Sequence, residues 1–197
     1  MTTRRHSDQK QFDNFAKDYD TRFIKSYLPV YELFCDRLSD TLKIINQSLR
    51  VLDVGCGNGW IAEQISQKSF GVYIGVDPSE ASLEILKERL SSQKKLKVFT
   101  FCQSAEWICH ENAASVLYEK LGGNPQLVIC NAAFHQIRKT FPDVKSLIMS
   151  LYNLQVSDGV ALFGDYHYPK NLSKAKIQKA LNWIKKETGQ NPTPPAG

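Results

Sequence analysis

The sequence predicts an α/β protein with a doubly wound, mostly parallel sheet, and three observations carry that reading. Apolar runs alternate with amphipathic segments along residues 50–165. Most of these runs are apolar almost throughout, as strands are when helices cover both faces of a sheet. The first run, Val51-Leu-Asp-Val54, stops at a glycine-rich turn, Gly55-Cys-Gly-Asn-Gly59, and a helical pattern starts at Trp60. That junction is where an α/β fold opens room for a nucleotide-like ligand.

The elements follow in order. Phe12, Phe15 and Tyr19 recur at helical steps. Pro29 suits the first turn of a longer helix whose apolar stripe is Val30, Leu33, Phe34, Leu38, Leu42 and Ile45. A polar connection over 46–50 leads into strands expected at about 50–54, 71–77, 96–102, 126–131 and 158–165. Helices between them start near 59, 79, 111 and 142. Ser79 is the N-cap of the second, with Leu83, Leu86 and Leu90 on one face, and Gly122-Gly123 ends the third. Pro142 opens the fourth. A last helix over 171–187, capped by Asn171, carries Ile177, Leu181 and Ile184, and the Pro-rich tail cannot continue it. The expected division is an N-terminal helical cap over 1–48, a ligand-binding core over 49–187 and a disordered tail over 188–197. Strand order 3-2-1-4-5 is expected, with the N-terminal helices capping the site.

The 197 residues are 42% hydrophobic, with three Trp, eight Tyr and ten Phe, which supports a packed core rather than a disordered chain. The net charge of +5 is spread out, with short clusters only at Lys94–Lys97 and Lys185–Lys186, sparser than a nucleic-acid footprint. None of the five cysteines forms a C-x-x-C, and His6, His110, His135 and His167 complete no zinc pattern, so no metal is expected. Unpaired thiols point to a reducing compartment, and Cys56, Cys102 and Cys130 read as small hydrophobes in or beside strands. The opening residues lack an apolar signal region and no run approaches a membrane span. The expectation is a cytoplasmic protein, a monomer or homodimer, with no membrane partner.

Ligands of such sheets bind at the carboxyl ends of the strands. There the chain places Asp53 and the glycine turn after strand 1, and Asp77 at the end of strand 2. The spacing G-x-G-x-G differs from the dinucleotide fingerprint G-x-G-x-x-G, which aims a helix at a pyrophosphate. Asp77, about 20 residues past the glycines, is placed to accept hydrogen bonds from a ribose diol. It also fits a helix cap in Asp77-Pro-Ser-Glu80.

Val51–Gly59 and Gly75-Val-Asp-Pro-Ser79 resemble the class I S-adenosylmethionine-dependent methyltransferases, and the resemblance extends over roughly residues 10–170. It implies a Rossmann-like core that binds S-adenosylmethionine and releases S-adenosylhomocysteine. By the same resemblance Gly55, Cys56, Gly57, Asn58 and Gly59 pack against the methionine and ribose parts, and Asp53 lies near the methionine amino group. Asp77, followed by Pro78, holds the ribose. Ser104-Ala105-Glu106 matches the segment that reads adenine, with Ser104 where the family usually has Asp. Asn131 and Ala132 line the cofactor, His135 faces the acceptor as a candidate general base, and Tyr19 closes over the site. Asp165 and His167 lie at the same sheet edge as weaker candidates.

The implied function is methyl transfer to a small-molecule acceptor by in-line displacement. The chain lacks the Asn-Pro-Pro-Tyr motif of amino-methylating enzymes and the paired-glutamate hairpin of arginine methyltransferases. RNA methylation, aminopropyl transfer and non-catalytic cofactor binding are the alternatives, with nucleic acid disfavoured by the scattered charge. The family sheet ends in a C-terminal strand hairpin that has no counterpart here, which leaves strand 5 at an edge.

Overall fold

The computed structural model describes residues 13–14, 16–25, 28–45, 48–141 and 143–165. Five strands form one parallel sheet: β1 (Leu49–Val54), β2 (Gly71–Asp77), β3 (Leu96–Cys102), β4 (Leu127–Asn131) and β5 (Val160–Gly164), in the order β3-β2-β1-β4-β5. The expected order and the expected strands are therefore present. β5 pairs only with β4 among the described residues.

Alternation along the strands sorts the core into two layers. Leu49 and Val51, Tyr73, and Leu127 and Ile129 point to one face. They meet Tyr31, Phe34 and Leu38 of α1 (Leu28–Ile44), Ile61 and Ile65 of α2 (Trp60–Lys68), and Leu83 and Leu86 of α3 (Glu80–Leu90). Leu52 and Val54, Ile74 and Val76, and Val128 and Cys130 point to the other. There they meet Leu117 and Leu121 of α4 (Glu111–Leu121), Ile137 of α5 (Phe134–Thr140), and Leu147 and Leu151 of α6 (Val144–Leu154). Burial of these side chains on both faces drives the fold.

Local signals set the helix ends. Ser79 caps α3, its side chain accepting from the Ser82 amide, and Gly122 ends α4 in the left-handed region at φ 71°. The sequence reading needs correction at three points. The single helix expected from Pro142 is two: α5 starts directly after β4, and α6 starts at Val144 with Asp143 accepting from the Ser146 amide. α5 is too short to show a periodic stripe, which hid it. Leu33 is 60% exposed, because it lies one residue off the stripe Tyr31, Phe34, Leu38, Leu42. Cys102 is exposed rather than packed, because β3 is the edge strand and its last residue lies at the rim.

Tyr19 leads into a π-helical turn, Asp20–Ile24. Phe12, Phe15, Pro142, His167, the helix expected over 171–187 and the tail lie outside the described residues. No helix of the described residues is long and apolar enough to cross a membrane.

Candidate functional site

The site is built where β1 and β2 end side by side. Their register sets Val51 against Tyr73 and Asp53 against Gly75, so Tyr73 and Asp53 share a face one pair apart. Tyr73 Oη donates to Asp53 Oδ2 at 2.7 Å, and both residues are buried. Burial pushes the Asp53 carboxyl up to about 7, against the pull of that hydrogen bond. Burial, and then the Asp53 charge, hold the Tyr73 phenol well above its ordinary value.

Asp77 ends β2 and fastens the glycine turn to it. Its Oδ2 accepts the Gly57 amide at 2.9 Å and its Oδ1 the Ser79 amide at 2.9 Å. Burial raises its carboxyl to about 6, opposed by these two amide bonds. Each carboxylate oxygen accepts more than one donor, so two amides do not exhaust Asp77. The cap reading of this residue is corrected, because Ser79 rather than Asp77 caps α3; the bond from the Ser79 amide shapes the turn before the helix and leaves Asp77 with capacity for further donors.

Gly55 sits against β4's exit: a Cβ there would lie 2.3 Å from the Ala133 Cβ. Gly57, at φ +52°, differs, because a Cβ would meet nothing within 4 Å. Bare main chain here faces open space, in a cleft of about 320 Å³ that includes open solvent. The lining fits a cationic, hydroxyl-rich nucleoside: Asp53 and Asp77 converge on the turn as acceptors, and among the described residues no Lys, Arg or His lines the cleft to meet a phosphate.

Of the residues singled out in the sequence, Tyr19, Asp53, Gly55, Cys56, Gly57, Asn58 and Asn131 line this cleft. Gly59, Asp77, Pro78, Ser104, Ala105, Glu106, Ala132 and His135 do not. Gly59 caps α2, and Pro78 follows Asp77 at the end of β2. Exposed Ser104 precedes a 3-10 turn over Ala105–Cys109 beyond the end of β3, beside Trp107 stacked on Phe101 at 5.1 Å. Ala132 follows β4 with φ +57°, unusual for a residue with a side chain, and its amide donates to Gly164 O at 2.7 Å. One turn on, His135 Nδ1 lies 2.7 Å from Asp165 Oδ1, just past β5. The pair joins two strand ends at the same edge of the sheet.

The wall opposite the turn was not legible as a site. Tyr31, Ile24, Trp60 and Ile61 complete it. Tyr19 Oη and Tyr31 Oη lie 3.1 Å apart, and the Tyr31 ring meets Trp60 edge to face at 5.1 Å. Burial, then Tyr31, raise the Tyr19 phenol well above its ordinary value. Asn58 Nδ2 donates to Asp20 Oδ1 at 2.7 Å, and Arg89 pairs with both Asp20 and Glu63. Ser79 Oγ donates to Asp13 Oδ1 at 2.6 Å. Strand register alone could have paired Tyr73 with Asp53; nothing local signals Arg89, 69 residues from Asp20.

Comparison with known proteins identifies the family and the fold. Residues 25–189 match a family described as a methyltransferase domain. The chain is similar to the malonyl-[acyl-carrier protein] O-methyltransferase of Bacillus anthracis, 28% identical over 162 residues, covering 80% of this chain and 52% of that protein. It is also similar to the enzyme of the same name from Priestia megaterium, 26% identical over 175 residues, covering 86% and 57%. The chain thus spans about half the length of the curated relatives it matches. Among solved structures, an S-adenosylmethionine-dependent methyltransferase from Clostridium acetobutylicum shares the fold at a TM-score of 0.57 and 22% identity, covering 86% of this chain and 61% of that one. One from Thiobacillus denitrificans, in complex with S-adenosyl-L-homocysteine, does so at 0.50 and 19%, covering 74% and 53%. With the family match spanning most of its length and the sheet order in agreement, the chain belongs to the methyltransferase-domain family and has the Rossmann-like fold of the class I S-adenosylmethionine-dependent enzymes.

Proposed function

We propose that this chain binds S-adenosylmethionine across the Gly55–Gly59 turn and transfers its methyl group to a small-molecule acceptor. The observation that carries this reading is the open space over Gly57, flanked by Asp53 in the cleft and by Asp77 on the Gly57 amide. Bound there, the cofactor supplies a methyl group on a sulfonium, already a good electrophile. The protein's part is alignment, exclusion of water and, where the acceptor arrives protonated, removal of a proton.

Asp53 is suited to a cationic amine, since a nearby positive charge favours the ionised carboxylate that burial disfavours. Asp77 is suited to a diol, with acceptor capacity beyond its two amide bonds. Ser104 and Glu106 remain candidates for the adenine edge, and Asn131 and Ala132 for the reacting end.

On the acceptor side we assign His135 as the general base. Its Nδ1 lies 2.7 Å from Asp165 Oδ1, a contact that orients the ring. The acceptor's proton passes to Nε2, and the Asp165 carboxylate offsets the imidazolium charge. The two curated relatives are named as O-methyltransferases, which favours oxygen as the acceptor atom.

Calorimetry with S-adenosylmethionine and S-adenosylhomocysteine tests the cofactor reading on wild type and Asp77→Ala. Loss of one charge-assisted partner costs about 1.5–3 kcal/mol of binding free energy. Equal affinity in the two proteins removes Asp77 from the site, and no binding by the wild type removes the cofactor.

A further inference from the structure

Resting on that cofactor reading, we propose that Arg89 is a positioning residue that keeps the cofactor in the cleft by clasping the Asp20 turn against the glycine loop. Arg89 lies on α3, and its side chain is 13% exposed. One guanidinium nitrogen pairs with Asp20 and the other lies 3.4 Å from Glu63 Oε2 on α2. The second Asp20 oxygen accepts Asn58 Nδ2 at 2.7 Å. Asp20 therefore has its two oxygens held by two different parts of the molecule, a helix of the outer layer and the glycine turn. The planar fork of an arginine suits this bridging, since its donors point in fixed directions.

The clasped turn carries the wall of the cleft that faces the glycines. Tyr19 immediately precedes it and Ile24 ends it, and both line the cleft, as does Asn58. The segment Tyr19–Ile24 precedes the core strands in the chain, so its seat depends on long-range contacts. The bridge from Asp20 to Arg89 spans 69 residues, and the bond to Asn58 spans 38. Without the Arg89 charge, Asp20 and Glu63 both lose their guanidinium partner, and the Asn58 amide remains as the bond from the glycine turn to Asp20. The effect belongs on ligand release, because the clasped turn supplies part of the wall that holds a bound nucleoside, and lost contacts within one site act mostly on the dissociation rate.

Stopped-flow binding of S-adenosylhomocysteine, read by tryptophan fluorescence because Trp60 lines the cleft, tests this on wild type, Arg89→Met and Arg89→Lys. Arg89→Met keeps the aliphatic stem packed and removes the fork. Dissociation is expected to quicken about tenfold, with association changed less than about twofold. Arg89→Lys restores part of the residence time, since an ammonium is a single point charge. A merely structural role would lower the melting temperature without this split between the two rates. Should Arg89→Met fail to fold, Asp20→Asn is read by the same split. Equal dissociation rates in wild type and variant overturn the clasp while leaving the cofactor reading intact. A wild type that does not bind S-adenosylhomocysteine overturns both.

Discussion

Replacing Gly57 by alanine separates the fold from the site. Gly57 has φ +52° and a Cβ there meets no atom within 4 Å. The folded protein therefore bears only backbone strain, about 1–2 kcal/mol for a residue with a side chain in the left-handed region. At roughly 2–4 °C per kcal/mol for a domain of this size, the melting temperature falls by about 2–8 °C. The methyl group nevertheless fills space where the proposed ligand presses on bare main chain. Overpacking of about 1–3 kcal/mol then weakens S-adenosylhomocysteine binding roughly 5–150-fold. Gly122→Ala is the matched control, because Gly122 has φ +71° and equally open surroundings but ends α4, away from the cleft. Thermal melts and calorimetry on both variants give the comparison. Both should lose similar stability and only Gly57→Ala should lose affinity; equal affinity in the two would refute ligand contact at Gly57.

The remaining outcomes concern pH and three side chains. Cofactor affinity should fall more than tenfold between pH 7 and pH 5, because the Asp77 and Asp53 carboxyls, raised to about 6 and about 7, take up protons across that range and lose the charge proposed to hold the ribose hydroxyls and the amine; calorimetry across that range reads it. The sign for the unliganded protein is opposite. The unfolded acids ionise near 3.8 while Asp77 and Asp53 hold their protons to about 6 and about 7, so their contribution to stability declines as pH rises from about 4 to 7, and melts in that window without ligand check it. Tyr73→Phe removes the 2.7 Å bond to Asp53 and should cost about 1–3 kcal/mol of stability by denaturant titration, with unchanged stability arguing that Asp53 is already protonated or rehydrated. His135→Ala should abolish methylation of a protonated oxygen acceptor while leaving S-adenosylhomocysteine affinity intact, and Asp165→Asn should give an intermediate rate with a shifted pH profile; full turnover in His135→Ala removes the base.

The sheet was legible because parallel strands buried on both faces leave uninterrupted apolar runs, and β2 and β3 fall where those runs do. Asp53, the glycine turn and Asp77 were legible because they are local: a strand end, a turn and the next strand end, spaced by one crossover. The same locality explains what was missed. The seven-residue α5 has no repeat of its stripe to detect. Leu33 matched a helical pattern in type but sits one residue round from Phe34, on the solvent side. Tyr31, Trp60 and Arg89 reach the site or its support through packing between elements far apart in sequence, which no window of residues encodes.

These limits divide the site along the sheet itself. The proposed cofactor half is made by β1, β2 and the turns that follow them, and its parts constrain one another: Asp77 holds the Gly57 amide, Gly75 lies where a Cβ would come within 2.7 Å of Cys56 Sγ, and Gly55 leaves no room beside Ala133. A change at any of these positions disturbs the turn as well as the ligand. The proposed acceptor half rests on β4 and β5, where His135 and Asp165 meet at the sheet's outer edge and neither is needed to close the turn. Apart from Asn131, which lines the cleft, and Ala133, which packs on Gly55, side chains there can vary without disturbing the cofactor wall. On the proposed reading, an enzyme built this way would keep one methyl-donor pocket and change its acceptor through the side chains around His135 and Asp165.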